Sequence, residues 1–334
     1  MWQSDLKRKG WPPDCIEKFQ FCIAPSTLNT YNGALEKLHA FCQDRGCHFP
    51  PSEVRILAEF LATVAEKSAR PRSVLNTTTA ALGHVYRALD LPNISESYEI
   101  RMLITALVKS GTSVPMLRSK VMPVSHFHDL FMNWSGNDAL NLRSLRLKAI
   151  TLLALTAMLR PSDIAPNARQ MNSNGECKVV FSVNQVLFSN NDVKITFFGI
   201  KNDAARTGFE VQIPRSSNDK IDPVQTLQDY IARTESYRPA DGPVFLTLRS
   251  PYKALEASSV AKVLEESISL AGLSGQGFSA KSFRPTGATS AIEQGISPEV
   301  VRKVGRWKNA EVFFEHYVHA RTPDSFSDNV LQHA

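Results

Sequence analysis

Apolar residues return every three to four positions through residues 26–109, 125–159 and 224–304. Only across 178–213 does that spacing give way to runs rich in Val, Ile and Phe. A period near 3.6 gives each helix one apolar stripe, so the chain has to bury helix against helix, with room for one small sheet. Leu28, Tyr31, Leu35, Leu38 and Phe41 form the first stripe behind a candidate Ser26 cap, and Gly46 ends it. Further helices are expected over 53–66, 73–89 and 96–109, punctuated by Pro50, Pro51, Pro71 and Pro92.

Gly111, Pro115 and Pro123, with Arg118 and Lys120 between them, break the periodicity and read as an inter-domain linker over 113–122. A chain of 334 residues is long for one core, so two domains are expected: a helical one over 25–112 and a larger one over 123–334. Residues 1–24 lack a sustained period and read as an extension that orders only on a partner. In the larger domain, helices are expected over 125–134, 142–159, 224–233, 259–271, 283–294 and 298–304. Strands are expected over 178–188, 193–200 and 209–213, the last two flanking a polar loop. The fold class is therefore mainly α with a small antiparallel β-sheet.

A formal charge of +6 and a pI of about 9.0 suit a polyanionic partner without demonstrating one. With 43% hydrophobic and 21% charged residues, the chain is neither disordered nor fibrous. Cys15, Cys22, Cys42, Cys47 and Cys177 form an odd set without metal-ligand spacing, and no signal peptide is evident, so an intracellular protein without disulfides is expected. Cys42, Cys47 and His48 lack a second ligand pair and read as packing. The longest apolar run, 149–159, is too short to span a membrane.

Four separated pieces of the larger domain carry chemistry. Leu155 to Asp163 is an apolar helix ending in Arg160, with Asp163 three residues on. Arg160 can fork two N–H donors onto a phosphate while Asp163 holds the guanidinium, or the two form a plain surface pair. Lys201 opens the loop between two expected strands, where an ammonium can protonate a leaving alkoxide or simply sit in solvent. Lys281 and Arg284 fall on the first turn of an expected helix, an end that favours a bound phosphate. The fourth piece is Gly305-Arg306-Trp307, followed after a short helix by Glu315-His316-Tyr317-Val318-His319.

In that order, these pieces resemble the signature boxes of the tyrosine recombinases, the phage-integrase-like superfamily. The wording from Ser282 to Thr289 with Gly305-Arg306-Trp307 is most similar to recombinases of eukaryotic mobile elements of the DIRS, Ngaro and Crypton kinds. The resemblance covers the domain from about residue 123, and 25–112 looks like the family's core-binding domain. It implies a two-domain, C-shaped clamp on double-stranded DNA that cuts and rejoins strands through a 3′-phosphotyrosyl bond and a four-way junction. Tyr317 would be the nucleophile, and Arg160 and Arg284 would hold the scissile phosphate, with Trp307 donating its indole N–H. Lys201 would be the general acid, and Lys281 would take the place usually held by histidine. No metal or other cofactor is implied.

The family pattern is not matched throughout. Lys281 replaces the commoner histidine, and a charged ammonium accepts no proton from the tyrosine. Pro285 stands where many relatives carry a second histidine, and Trp307 lies ten residues before Tyr317 where nine is usual. His316 or His319 is a candidate base in compensation, although His316 can equally face solvent. Candidate phosphate contacts are Lys67, Arg70 and Arg72 in the first domain, Arg118 and Lys120 in the linker, and Arg143, Arg146 and Lys148 on the helix leading to Arg160. Any one of these can also be plain surface. The resemblance further implies a tetramer assembled on DNA from a monomer or weak oligomer, and nuclear residence. Two other activities fit the same boxes: a non-catalytic DNA-binding protein of this fold, and relaxation of DNA in the manner of a type IB topoisomerase.

Overall fold

In the computed structural model, the described residues are 7, 9–19, 25–110, 120–166, 181–198 and 207–318. The chain divides into two compact units, Met1–Met116 and Leu117–Ala334.

The first unit contains α1 (Pro13–Phe19), α2 (Pro25–Asp44), α3 (Val54–Glu66), α4 (Pro71–Ala88) and α5 (Tyr98–Ser110). Its core is built from the expected stripes, with Leu38, Leu57, Leu61, Leu75, Leu82 and Tyr86 buried together. Each such side chain contributes about 1.5–3 kcal/mol on burial. The Tyr86 hydroxyl donates to the Pro51 carbonyl at 2.5 Å, which ties the α2–α3 connection to α4. Cys42 lies in this core, and burial with the neighbouring Cys47 thiol pushes its pKa up to about 12, as a packing residue requires.

Two expectations change here. Helices α2 and α4 begin at Pro25 and Pro71, because a proline is preorganised for the first helical position. Ser26 therefore lies inside a first turn instead of capping it. The N-terminal stretch is not a bare extension either: it contains α1, Ile16 is 4% exposed, and Lys9 pairs with Asp90.

The second unit contains α6 (Val124–Met132), α7 (Leu142–Thr156), α8 (Pro161–Ile164), β1 (Val186–Phe188), β2 (Asp192–Phe197), β3 (Phe209–Pro214), α9 (Pro223–Arg233), α10 (Ala257–Leu270), α11 (Phe283–Glu293), α12 (Pro298–Val304) and α13 (Ala310–Tyr317). The three strands form one antiparallel sheet in the order β1-β2-β3, with Phe197 paired to Phe209. Val193, Ile195 and Phe197 are buried and alternate with exposed or half-buried residues, the period of a strand covered on one face. Of the first expected strand, residues 178–180 lie outside the described residues, Val183–Gln185 form a 3-10 turn, and Val186–Phe188 are the strand. No described helix is long and apolar enough to cross a membrane.

Helix α7 is the axis of this unit. Every residue from Leu145 to Leu155 is buried, and α9, α10 and α11 all pack against it. A helix covered all round has no solvent stripe, so its polar residues are buried with the rest. This corrects the reading of two cations as phosphate contacts. Arg146 is 9% exposed and its Nη1 donates to the Leu246 carbonyl at 2.8 Å. Lys148 is 1% exposed and its Nζ donates to Asn137 Oδ1 at 2.7 Å. Both hold the fold together. Arg143, one turn earlier, is exposed and pairs with Glu266 at 2.9 Å.

Candidate active site

The site begins where α7 stops. Pro161 cannot continue a helix and pushes the residue before it into extended backbone, and Arg160 accordingly has φ −84° and ψ 156°. Met158 makes the turn with a left-handed φ of 51°, an unusual conformation for a side chain with a Cβ. Asp163 then folds back on the break. Its Oδ2 accepts the Arg160 backbone N–H at 3.0 Å, and the Arg160 Nη1 lies 3.7 Å from the same oxygen. The Asp163 side chain is wholly buried, while that of Arg160 is 24% exposed.

Helix α11 crosses α7 closely because Gly287 carries no side chain: a Cβ there would lie 2.2 Å from the Leu155 carbonyl oxygen. That approach carries Arg284, one turn earlier, into the interior, where it is 3% exposed. Its Nη1 donates to the Met158 carbonyl and its Nη2 to the Gly305 carbonyl. Its guanidinium carbon sits 4.0 Å from the centre of the Trp307 ring and 5.6 Å from that of Tyr317. A cation over aromatic faces is favoured by about 0.5–2 kcal/mol, more as water is excluded.

The third part of the site is the end of α12, whose start Ser297 caps by accepting the Val300 N–H. Arg306 follows Gly305 with φ 62°, and the Trp307 N–H reaches back to the Arg302 carbonyl at 3.0 Å, closing the helix in a Schellman turn. Gly305 is needed at this turn for space: a Cβ would lie 1.7 Å from the Trp307 ring. Asn309 caps α13, whose last residue is Tyr317. Met158, Ala288, Val301, Trp307 and Phe313 form a small separate core, with the Tyr317 ring against it, 4.8 Å from Trp307. The Thr289 hydroxyl donates to the Tyr317 carbonyl at 3.2 Å and holds the end of α13 on α11.

The electrostatics are those of an anion site. Burial pushes the Arg284 guanidinium down to about 9, reinforced by the charges of Arg160 and Arg306 and opposed by Asp163 and Tyr317. It remains protonated at neutral pH. Arg306 is lowered as well, by burial first, against the pull of Asp163. Around Asp163, the carboxylate of this cluster, stand Arg160 and Arg306, with Arg284 close enough to feel all of them. In addition, Arg284 Nε and Trp307 Nε1 are buried donors with no acceptor among the described residues. Leaving such a donor unmet costs about 1–3 kcal/mol, which an oxyanion supplying the acceptor would recover.

Arg160, Asp163, Arg284, Trp307 and Tyr317 are thus brought together. Lys281 is not on the helix with Arg284 as expected: it is exposed on the 3-10 turn Ala280–Ser282, which ends before α11 begins. Lys201, Arg118 and His319 lie outside the described residues, as does the side chain of His316. Lys120 donates to the Gln276 carbonyl at 2.6 Å. Lys67, Arg70 and Arg72 are exposed around the junction of α3 and α4 in the first unit. The residue that sequence reasoning missed is Arg306, whose Nη2 donates to Asp163 Oδ2 at 3.0 Å. Its one signal was a cation between a helix-ending glycine and a tryptophan of the motif. Beside it, a cleft of about 640 Å³ is lined in part by Thr207, Phe209, Arg302, Lys303 and Lys308.

No curated protein sequence matches the chain. Among solved structures, it is similar to lambda integrase in a dimer bound to a COC′ core site, with a TM-score of 0.54 and 14% identity over 93% of this chain and 96% of that one. It is also similar to XerH site-specific recombinase bound to difH substrate in a pre-cleavage complex, at 0.53 and 16% over 92% and 79%. A third is the Tn1549 transposon integrase in complex with a circular intermediate DNA, at 0.51 and 13% over 100% and 98%. At these identities the likeness is one of fold. The phage integrase family matches residues 131–323, more than half of the chain. By that match and by its fold, the chain belongs to the phage integrase family, the tyrosine recombinases.

Proposed function

We propose that this chain is a site-specific recombinase that cuts and rejoins DNA with Tyr317 as nucleophile. Tyr317 gives its hydroxyl proton to His316 or His319, the candidate bases, and its oxygen attacks the scissile phosphorus, forming a 3′-phosphotyrosyl bond and breaking the bond to the 5′ oxygen. Lys201 gives that oxygen its proton. Arg160, Arg284 and Trp307 stabilise the charge that builds on the phosphate. The observation that carries this reading is the pair of buried donors without acceptors, Arg284 Nε and Trp307 Nε1, in stacked side chains beside Tyr317. The solved relatives bound to DNA sites support DNA as the partner. Two rounds of exchange in a tetramer on DNA, and an origin in a mobile element of the DIRS, Ngaro or Crypton kind with nuclear residence, complete the proposal. Mass photometry of the DNA-bound protein tests the assembly: a complex of two subunits would contradict it.

One observation favours a second reading, a DNA-binding protein of this fold that has lost the chemistry. Lys281 stands exposed where the family usually carries histidine, so the proton acceptor for Tyr317 is missing from that position. Nicked suicide duplexes from the sequences flanking the gene separate the two readings. Denaturing gels are expected to show protein covalently joined to DNA with the wild type and none with Tyr317→Phe. Tight binding without any adduct would favour the second reading.

A further inference from the structure

The guanidinium that Asp163 accepts from is that of Arg306, not that of Arg160 three residues before it. Its Oδ2 lies 3.0 Å from Arg306 Nη2 but 3.7 Å from Arg160 Nη1, which is beyond hydrogen-bond reach. We propose that Arg306 is a positioning residue: it satisfies and fixes Asp163, and so leaves the Arg160 guanidinium open to a phosphate instead of locked onto the carboxylate. This rests on reading Arg160 as a phosphate ligand.

Three features support it. The Arg306 side chain is 3% exposed, so it does not serve as a surface cation. It stands 5.6 Å from the centres of both the Phe197 and Phe209 rings, which face each other across β2 and β3, so the sheet sets its position. Its left-handed backbone aims it inward from the end of α12, at a position where glycine is the usual occupant. Asp163, for its part, is anchored at the backbone of Arg160 by a 3.0 Å hydrogen bond and cannot drift away. Without Arg306, the wholly buried carboxylate would face Arg160 as the nearest cation. In a site this dry, attraction would draw the guanidinium in.

Two variants test this. In a crystal structure of Arg306→Met, the Arg160 guanidinium is expected to close to about 3 Å from Asp163. In single-turnover cleavage of a nicked duplex, the same variant is expected to lose on the order of 100-fold in adduct formation, the cost of misplacing a reacting group. Its DNA affinity should change by less than about threefold, because many phosphate contacts share the binding. In an Asp163→Asn background, which removes the pull on Arg160, the further loss from Arg306→Met should shrink to below about threefold. An unchanged Arg160–Asp163 separation in Arg306→Met, or the same loss in both backgrounds, would overturn the proposal. Should the wild type form no adduct, the recombinase reading falls while the crystal comparison still decides the positioning. If Arg306→Met does not fold, Arg306→Lys decides. Its ammonium is expected to hold Asp163 with Arg160 still open, and a structure with Asp163 turned away from the lysine and Arg160 unmoved would refute the role.

Discussion

Two sets of cations, one in each unit, are held in opposite ways. In the first, Lys67, Arg70 and Arg72 stand exposed at the junction of α3 and α4. In the second, Arg284, Arg306 and Arg146 are buried, each donating to a carbonyl or carboxylate that fixes its direction. An exposed cation costs folding nothing and attracts a phosphate through a field that salt screens. A buried one carries a desolvation penalty of several kcal/mol and persists only where partners hold it, so its geometry is set before any ligand arrives. On the proposed function, the first arrangement would draw DNA to the protein, and Arg284 with the cluster around it would decide where a single phosphate sits.

The largest effect that would break this comparison is on Arg284. Replacing it by Met should lower single-turnover adduct formation on the order of 1000-fold, as for loss of a transition-state donor. Near-normal cleavage would mean the buried set is structural only. Next is the packing that carries Arg284 into the site. Gly287→Ala places a Cβ 2.2 Å from the Leu155 carbonyl oxygen, a backbone atom that cannot step aside. Urea unfolding should show a loss of about 1–3 kcal/mol, and an unchanged midpoint would show that α11 does not need its close approach to α7. The smallest effect sharpens the contrast from the other unit. Replacing Lys67, Arg70 and Arg72 together by Gln should leave stability within about 0.5 kcal/mol. If all three meet phosphates, the slope of log affinity against log salt should become less steep by about 2–3. A slope that does not move would make them ordinary surface.

Much of this could be read from the chain as letters. Helices such as α12 are bounded by Ser297, Pro298 and Gly305, and the antiparallel strands β2 and β3 by their Val and Ile runs, so their positions follow from local chemistry. Arg160, Arg284, Trp307 and Tyr317 stand in an order and spacing that one family uses. The helix starts at Pro25 and Pro71 are not marked by polar caps, because a proline is itself the first helical residue at each. Nothing local to Lys281 sets it on the 3-10 turn ahead of α11 instead of on the helix itself.

By itself the sequence determined where most of the helices and the one sheet lie, and which side chains are chemically able to hold a phosphate. Only the tertiary structure decided which cations face solvent and which are buried. Arg146 and Lys148 are turned into structural residues by α9, α10 and α11 closing around α7. Arg306 acquires a role from a carboxylate 143 positions away in the chain. Burial and ion pairing are properties of contacts between distant segments, and no local pattern of letters contains them.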